Sequence, residues 1–381
     1  MAPMARFGPL VASDLRDVTD DVAALDSEGF WAVCADFEGR TVCARFGRLR
    51  RTPLGADDTA ARAARWHGPD PSAWTTSMDR HAYEAGVRTI RARIAAGDVY
   101  QVNLCRVLTA PLPAATRETG PGGADIDALA AALALGNPAP YAGTIRLPAH
   151  GVEVATASPE LFLSRDGDTV DSGPIKGTAR TADGFLDKDH AENVMIVDLV
   201  RNDLGRVCAT GSVTVPALCA VEPHPGLVHL VSTVRGELRP GAGWPALFDA
   251  AFPPGSVTGA PKSSALAVID ELETAARGPY CGAVGWVDAD RRTAELAVGI
   301  RTFWIDRADP GRPLLRFGTG AGITWGSDPA GEWAETELKA ARLLAVASEV
   351  QGTSRRDSGG ADPTGADAYA GGRGTNGRMS R

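Results

Sequence analysis

Helical and strand periodicities alternate along this 381-residue chain without a regular strand–helix–strand rhythm. The run SMDRHAYEAGVRTIRARIAAGD, residues 77–98, sets Tyr83, Val87, Ile90 and Ile94 at helical spacing, with Gly97 placed to stop it. VYQVNLCRVLTA follows as an alternating, β-branched strand. VEVATASPELFLSRDGDTVDSGPIKGTAR reads as strand, turn, strand, turn, strand, with ELFLSR and DTVDSG flanking the turn Asp166-Gly167. LDKDHAENVMIVDLVRNDLGRV is a strong helix for which Gly205 is the expected C-terminal cap. LVHLVSTVRGEL, CGAVGWVDA, RTAELAVGIRTFWID and PLLRFGTGAGITW read as strands, and WAETELKAARLLAVASEV as a closing helix. Strands joined by short turns imply antiparallel sheets, and the interspersed helices make the expected class α+β, with helices on the outer faces. Residues 116–127, TRETGPGGADID, suit a surface loop, and the Gly- and Ser-rich residues 351–381 are expected to stay disordered.

Composition narrows this picture. A chain with 44% hydrophobic and 23% charged residues can bury a large core. The formal net charge of −8 argues against a general nucleic-acid binder and means that an anionic ligand needs locally placed cations. Cys34, Cys43, Cys105, Cys208, Cys219 and Cys281 form no C-x-x-C pair, as expected for reduced thiols of a cytoplasmic protein. No apolar run approaches the roughly 18 residues of a membrane span, and no charged leader with an apolar run opens the chain, so neither membrane insertion nor secretion is expected.

Several groups could carry chemistry. Asp189 and Glu192 lie three residues apart on one helix, as do Glu332 and Glu335 on another, so each pair shares a face. Carboxylates from two helices, without histidine or cysteine, suit a hard cation such as Mg2+, although a solvated acidic face would look the same. Gly318, Gly320 and Gly322 alternate along a strand, where bare backbone can approach an anion or simply form a bulge. Arg301 lies in the apolar run VGIRTFW and must find a carboxylate partner or a strand end; a structural salt bridge is the ordinary expectation. His229 in LVHLVS reads as a satisfied core histidine, and Thr258 with Gly259 precedes a helix start that could hold an anion. Lys176, in the turn PIKGT, reads on its own as a surface charge.

Taken in order, SPELF, GPIKGTAR, AENVMIVDLVRNDLGRV, VHLVSTV, FPPGSVTGAPK, GPYCGAVGW, IRT and GTGAGITWGSDPAGEWAETELKA closely resemble the chorismate-utilising enzymes, in particular the first components of aminodeoxychorismate synthase and anthranilate synthase. The resemblance runs from about residue 77 to 350, the expected catalytic domain, with 1–76 as a shortened region of the same fold. It implies large antiparallel sheets, Mg2+ held by Glu192 and Glu335 with Asp189 and Glu332 in support, and a chorismate carboxylate held by Arg301, Tyr280 and the amides around Gly320 and Gly322. It further implies that Thr258 and Gly259 position the ring end, that Gly177 and Thr178 belong to the same substrate-binding turn, and that Glu160 protonates the departing C4 hydroxyl. Aminodeoxychorismate synthases resembling this chain carry lysine where anthranilate synthases carry alanine in PIAGT, so the resemblance makes Lys176 a nucleophile toward C2, with ammonia adding at C4. Gln101 stands where isochorismate and salicylate synthases carry a water-activating lysine, which favours amination over hydration. The histidine matching His229 is tied to aromatisation in anthranilate synthases, though the lysine-bearing branch also keeps one. The region before WHGPDPSAW lacks an LLES-like motif, so tryptophan feedback is not expected, and ammonia is expected from a glutamine amidotransferase partner or from solution.

Overall fold

The computed structural model describes residues 2–53, 55–113, 125–179, 181–185, 187–224, 227–309 and 311–348. The residues read as a loop at 116–127 lie outside that set up to 124, and the rest of that reading is corrected, since Asp125 caps a helix that begins at Ile126. The whole 351–381 tail also lies outside the set. The strands are β1 (Met4–Phe7), β2 (Leu10–Thr19), β3 (Phe30–Ala35), β4 (Thr41–Arg51), β5 (Thr75–Thr76), β6 (Gln101–Pro111), β7 (Tyr141–Leu147), β8 (Val152–Ser158), β9 (Leu161–Asp166), β10 (Thr169–Gly173), β11 (Ile175–Ala179), β12 (Thr214–His224), β13 (Leu227–Glu237), β14 (Gly259–Ala260), β15 (Ala283–Asp288), β16 (Thr293–Val298), β17 (Thr302–Asp306) and β18 (Leu314–Ile323). The helices are α1 (Ala56–Ala63), α2 (Arg80–Ala96), α3 (Ile126–Gly136), α4 (Asp187–Gly205), α5 (Trp244–Ala251), α6 (Lys262–Leu272) and α7 (Pro329–Ser348). The class is α+β.

Every pairing among the described strands is antiparallel, and together they make one long curled sheet. Its neighbours run β6, β18, β17, β8, β7, β1, β2, β4, β3, β15, β16, β9, β10, β13, β12. The short β5 and β14 flank β6, and β11 shares β13 with β10. α4 packs over β11 to β13, whereas α2, α6 and α7 cover the β6–β18 end.

Local chemistry sets the breaks. Asp79 caps α2, and Gly97 ends it in the left-handed conformation at φ +84°, which only glycine adopts without cost. Tyr83, Val87 and Ile90, the buried face of that helix, join the main core. α4 runs through Gly205 as its last residue without a left-handed turn there, so the glycine-cap expectation is corrected. RTAELAVGIRTFWID is two strands rather than one. A Cβ on Gly299 would sit 2.0 Å from the Pro279 carbonyl oxygen, and Arg301 takes φ +51°, so the chain leaves the ladder between β16 and β17. In the same way Pro174, which has no N–H to donate, separates β10 from β11 and adds a fourth strand where three were expected.

Candidate active site

Lys176 and Gly177 lie at a register shift in the β11–β13 ladder, where Lys176 pairs with Leu230 and Thr178 with His229. Gly177 has φ +78°, and a Cβ there would crowd Asp189, Leu230 and Phe185 within 3.1 to 3.3 Å. Such a bulge re-aims the neighbouring side chain. The Lys176 amine donates to the Ser256 carbonyl at 3.3 Å and lies 3.5 Å from where a Cβ on Gly322 would be. The residue keeps some solvent exposure, yet burial of the amine is the largest influence on its pKa, which is lowered against the pull of Glu192 and Glu160. Glu160 is 4% exposed, and burial raises its carboxyl to about 7 despite hydrogen bonds from the Ser256 hydroxyl and the Ile175 amide and the nearby Lys176 charge. An amine and an acid therefore share one pocket, each pushed toward its neutral form.

The opposite wall comes from the other end of the sheet. Gly322 pairs with Asn103 in the β18–β6 register, and its missing side chain leaves room for the Gln101 amide, whose nitrogen is 2.4 Å from a Cβ placed there. Gln101 is fully buried, and its Oε1 has no hydrogen-bond partner among the described residues. Gly318 accommodates the ring of buried Tyr280, and the Gly320 carbonyl accepts from Lys339 at 3.0 Å. Phe303 pairs with Phe317, so the chain leading back to Arg301 flanks this glycine stretch. The structural salt bridge expected for Arg301 is absent among the described residues: it has no ion pair there, and burial lowers its pKa. A half-buried guanidinium without a carboxylate partner has donors available for an anion. Thr258 is buried and donates its hydroxyl proton to the Pro254 carbonyl at 2.7 Å, closing its own loop, and Gly259 at φ +145° lies against the Gln101 carbonyl. His229 is buried on β13 opposite Thr178, whose side chain lies outside the described set.

The helical carboxylates meet the pocket from the side. Glu332 is half-buried, and burial raises its pKa, with further pushes from Glu335 and Glu192. Glu192 and Glu335 also act on Lys176. Asp189 packs its Cβ toward the Gly177 bulge. Asn193, the residue after Glu192, holds α4 in place: its amide donates to the Leu230 carbonyl at 3.1 Å and its oxygen accepts from the Ser232 hydroxyl. Leu230 is the residue that pairs with Lys176, so one side chain ties the helix bearing Glu192 to the strand beside the lysine. Glu335 makes an ion pair with Lys339 at 2.7 Å. Among the described residues no three of these groups close into a ready-made metal cluster. Their chemistry still fits a hard divalent cation, since mutually repelling oxygens from two helices gain most from a positive charge between them.

The structure thus gathers Lys176, Glu160, Gln101 and Gly322 at one point, with the carboxylates of α4 and α7 within electrostatic reach. Reading the sequence missed Ser256, which touches both Lys176 and Glu160, and Lys339; Ser256 sits inside the quoted FPPGSVTGAPK stretch, and Lys339 follows Glu335 by one helical turn.

Residues 38–345 match the family model described as chorismate binding enzyme. The chain is 39% identical over 287 residues to aminodeoxychorismate synthase component 1 of Klebsiella aerogenes, covering 72% of this chain and 59% of that protein. It is 35% identical over 344 residues to anthranilate synthase component 1 1 of Haloarcula marismortui, covering 83% of this chain and 64% of the relative. The chain thus spans roughly three fifths of the length of these curated relatives. Among solved structures it superposes on anthranilate synthase component I from Streptococcus pneumoniae with a TM-score of 0.66 at 23% identity, over 84% of this chain and 81% of that one. MenF, the menaquinone-specific isochorismate synthase from Escherichia coli, gives a TM-score of 0.70 at 17% identity, over 91% and 89%. Described strands and helices carry the same fold as these enzymes, and the family model spans most of its length: the chain belongs to the chorismate-binding enzyme family.

Proposed function

We propose that this chain aminates chorismate at C4 with ammonia, giving 4-amino-4-deoxychorismate for p-aminobenzoate and folate synthesis. The observation that carries the reading is the placement of Lys176, beside buried Glu160 and the bare backbone of Gly322 instead of in bulk solvent. Arg301 and the amides near Gly320 and Gly322 receive a substrate carboxylate, with Tyr280 closing that side. Glu160 gives its proton to the C4 hydroxyl, which leaves as water. The neutral Lys176 amine bonds to C2 as the double bond shifts and the C4–O bond breaks. Ammonia then bonds to C4, the double bond returns, and the C2–N bond to Lys176 breaks; the proton lost by the new amine restores Glu160. A general acid of this kind is worth about 10²–10⁴ in rate. Glu192 and Glu335, with Glu332 and Asp189 behind them, would hold Mg2+, which when bound supplies positive charge between acidic helices and an acidic ligand. Ammonia comes from a separate glutaminase subunit or from solution, and a separate lyase releases pyruvate.

The test is product analysis. Wild type with chorismate, Mg2+ and ammonium should yield the 4-amino product, and Lys176→Ala should lose it. A fluorescent aromatic amine formed without added lyase would identify the chain instead as an anthranilate synthase component, the reading that the buried His229 beside the lysine strand keeps in play. Binding of chorismate without consumption would mark a non-catalytic chorismate-binding protein.

A further inference from the structure

Behind Glu160 lies a small chamber of about 20 Å³, enough for a single water, which needs about 10–15 Å³. Its lining is apolar, with Phe162, Leu204 and Val298, except at four polar side chains: Glu160, Ser172, Asp203 and Ser256. These are 4%, 7%, 5% and 7% exposed, so none is a surface group, and together they exceed the two partners that a buried water requires. Asp203 on the far side pairs with Lys262 at 2.7 Å, and Lys262 also donates to the Ala251 carbonyl at 3.1 Å. The exposure of these two side chains rises outward from 8% to 18%. A buried ion pair adds little stability over apolar residues of the same volume, so its position calls for another reason. Neither Asp203, in VRNDLG, nor Lys262, in GAPKSS, has a part in the chemistry above.

We propose that this chamber is a binding site for one ordered water joining the Glu160 carboxyl to the Asp203–Lys262 pair, forming a proton route from the back of the pocket to solvent. The inference rests on the reading of Glu160 as the acid. In that cycle Glu160 gives one proton to the departing hydroxyl and takes one from the new amine. When the nitrogen enters as ammonium, one further proton must leave, and the route runs from Glu160 through the water to Asp203 and out past Lys262. Burial raises the carboxyl pKa of both Glu160 and Asp203, so each can hold a proton in transit.

The full chain provides two independent measurements. A high-resolution crystal structure should contain a water within hydrogen-bonding distance of both carboxyls; a dry chamber overturns the site. Ser172→Val fills the chamber without touching either carboxyl, and Asp203→Asn removes the far relay group. Each should lower kcat by about tenfold, well short of losing the acid itself, and raise the solvent deuterium isotope effect on kcat with KM for chorismate unchanged. Wild-type kcat and isotope effect in a folded Ser172→Val variant would sink the route, whatever Asp203→Asn does to stability. Should wild type consume no chorismate, the reading of the active site fails by that result, and the crystallographic water alone decides whether the chamber is a site.

Discussion

Glu160 and the helical carboxylates Glu192, Glu332 and Glu335 are the same residue type around one pocket, yet the fold buries them to different degrees. Glu160 sits on the link between β8 and β9, almost wholly buried, with a carboxyl pushed to about 7. Glu335 is about half exposed and is matched by Lys339, and Glu332 keeps partial solvent access. On the proposed reading, burial suits Glu160 to donate a proton, whereas the carboxylates grouped on α4 and α7 suit a hard cation. The difference teaches that the backbone carrying a carboxylate assigns its chemistry.

This contrast can be broken by experiment. Glu160→Gln should cost the largest factor, a fall in kcat of about 10²–10⁴ with metal affinity intact, measured by product formation and by calorimetric titration of Mg2+. Loss of metal binding in that variant would erase the distinction. The same variant should be more stable than wild type at pH 8. A buried acid raised from 4.5 to about 7 keeps its full contribution below the lower value and loses it as pH rises through the upper one. Removing it should therefore gain about 3 kcal/mol at pH 8, at about 1.4 kcal/mol per pH unit, and nothing at pH 4. Denaturant midpoints at the two pH values check the sign, and equal gains at both would refute it. Glu192→Gln should do the converse, weakening Mg2+ by about 10–100-fold while costing far less in the proton-donating step than Glu160→Gln, as metal titration and product formation would show. The smallest effect belongs to Lys339→Met: its partner is half exposed, so stability should move by less than about 1 kcal/mol. A larger loss would show that the rim carboxylates depend on that cation as heavily as Glu160 depends on burial.

Much of the frame was legible from periodicity. The helix at 80–96 ends at Gly97 as its spacing requires, and the carboxylate pairs of α4 and α7 are visible as three-residue intervals. The first 51 residues gave no such signal, although they fold into β1 to β4. The reason is physical: β3 is buried at every position, so it shows no alternation, and β2 is mostly half exposed. Arg301 was singled out, with a carboxylate partner or a strand end as its alternatives, and it lies at the strand end just before β17; what an apolar run could not announce is the left-handed turn there. Lys176 was readable as more than a surface charge only through the resemblance. Its environment is built by Gln101, Ser256 and Gly322, which lie 75, 80 and 146 positions away, and no local window contains them.

That separation has a consequence for how the molecule behaves as a whole. Lys176 belongs to strands near one edge of the curled sheet and Gly322 to strands at the other, yet 3.5 Å divides the lysine amine from the space beside the glycine. A ligand in that gap clasps the two ends of a ribbon, so occupancy should resist uncurling: a chorismate analogue at 100 times its Kd would add about 2.7 kcal/mol. The pocket is the seam at which the two ends of the sheet meet.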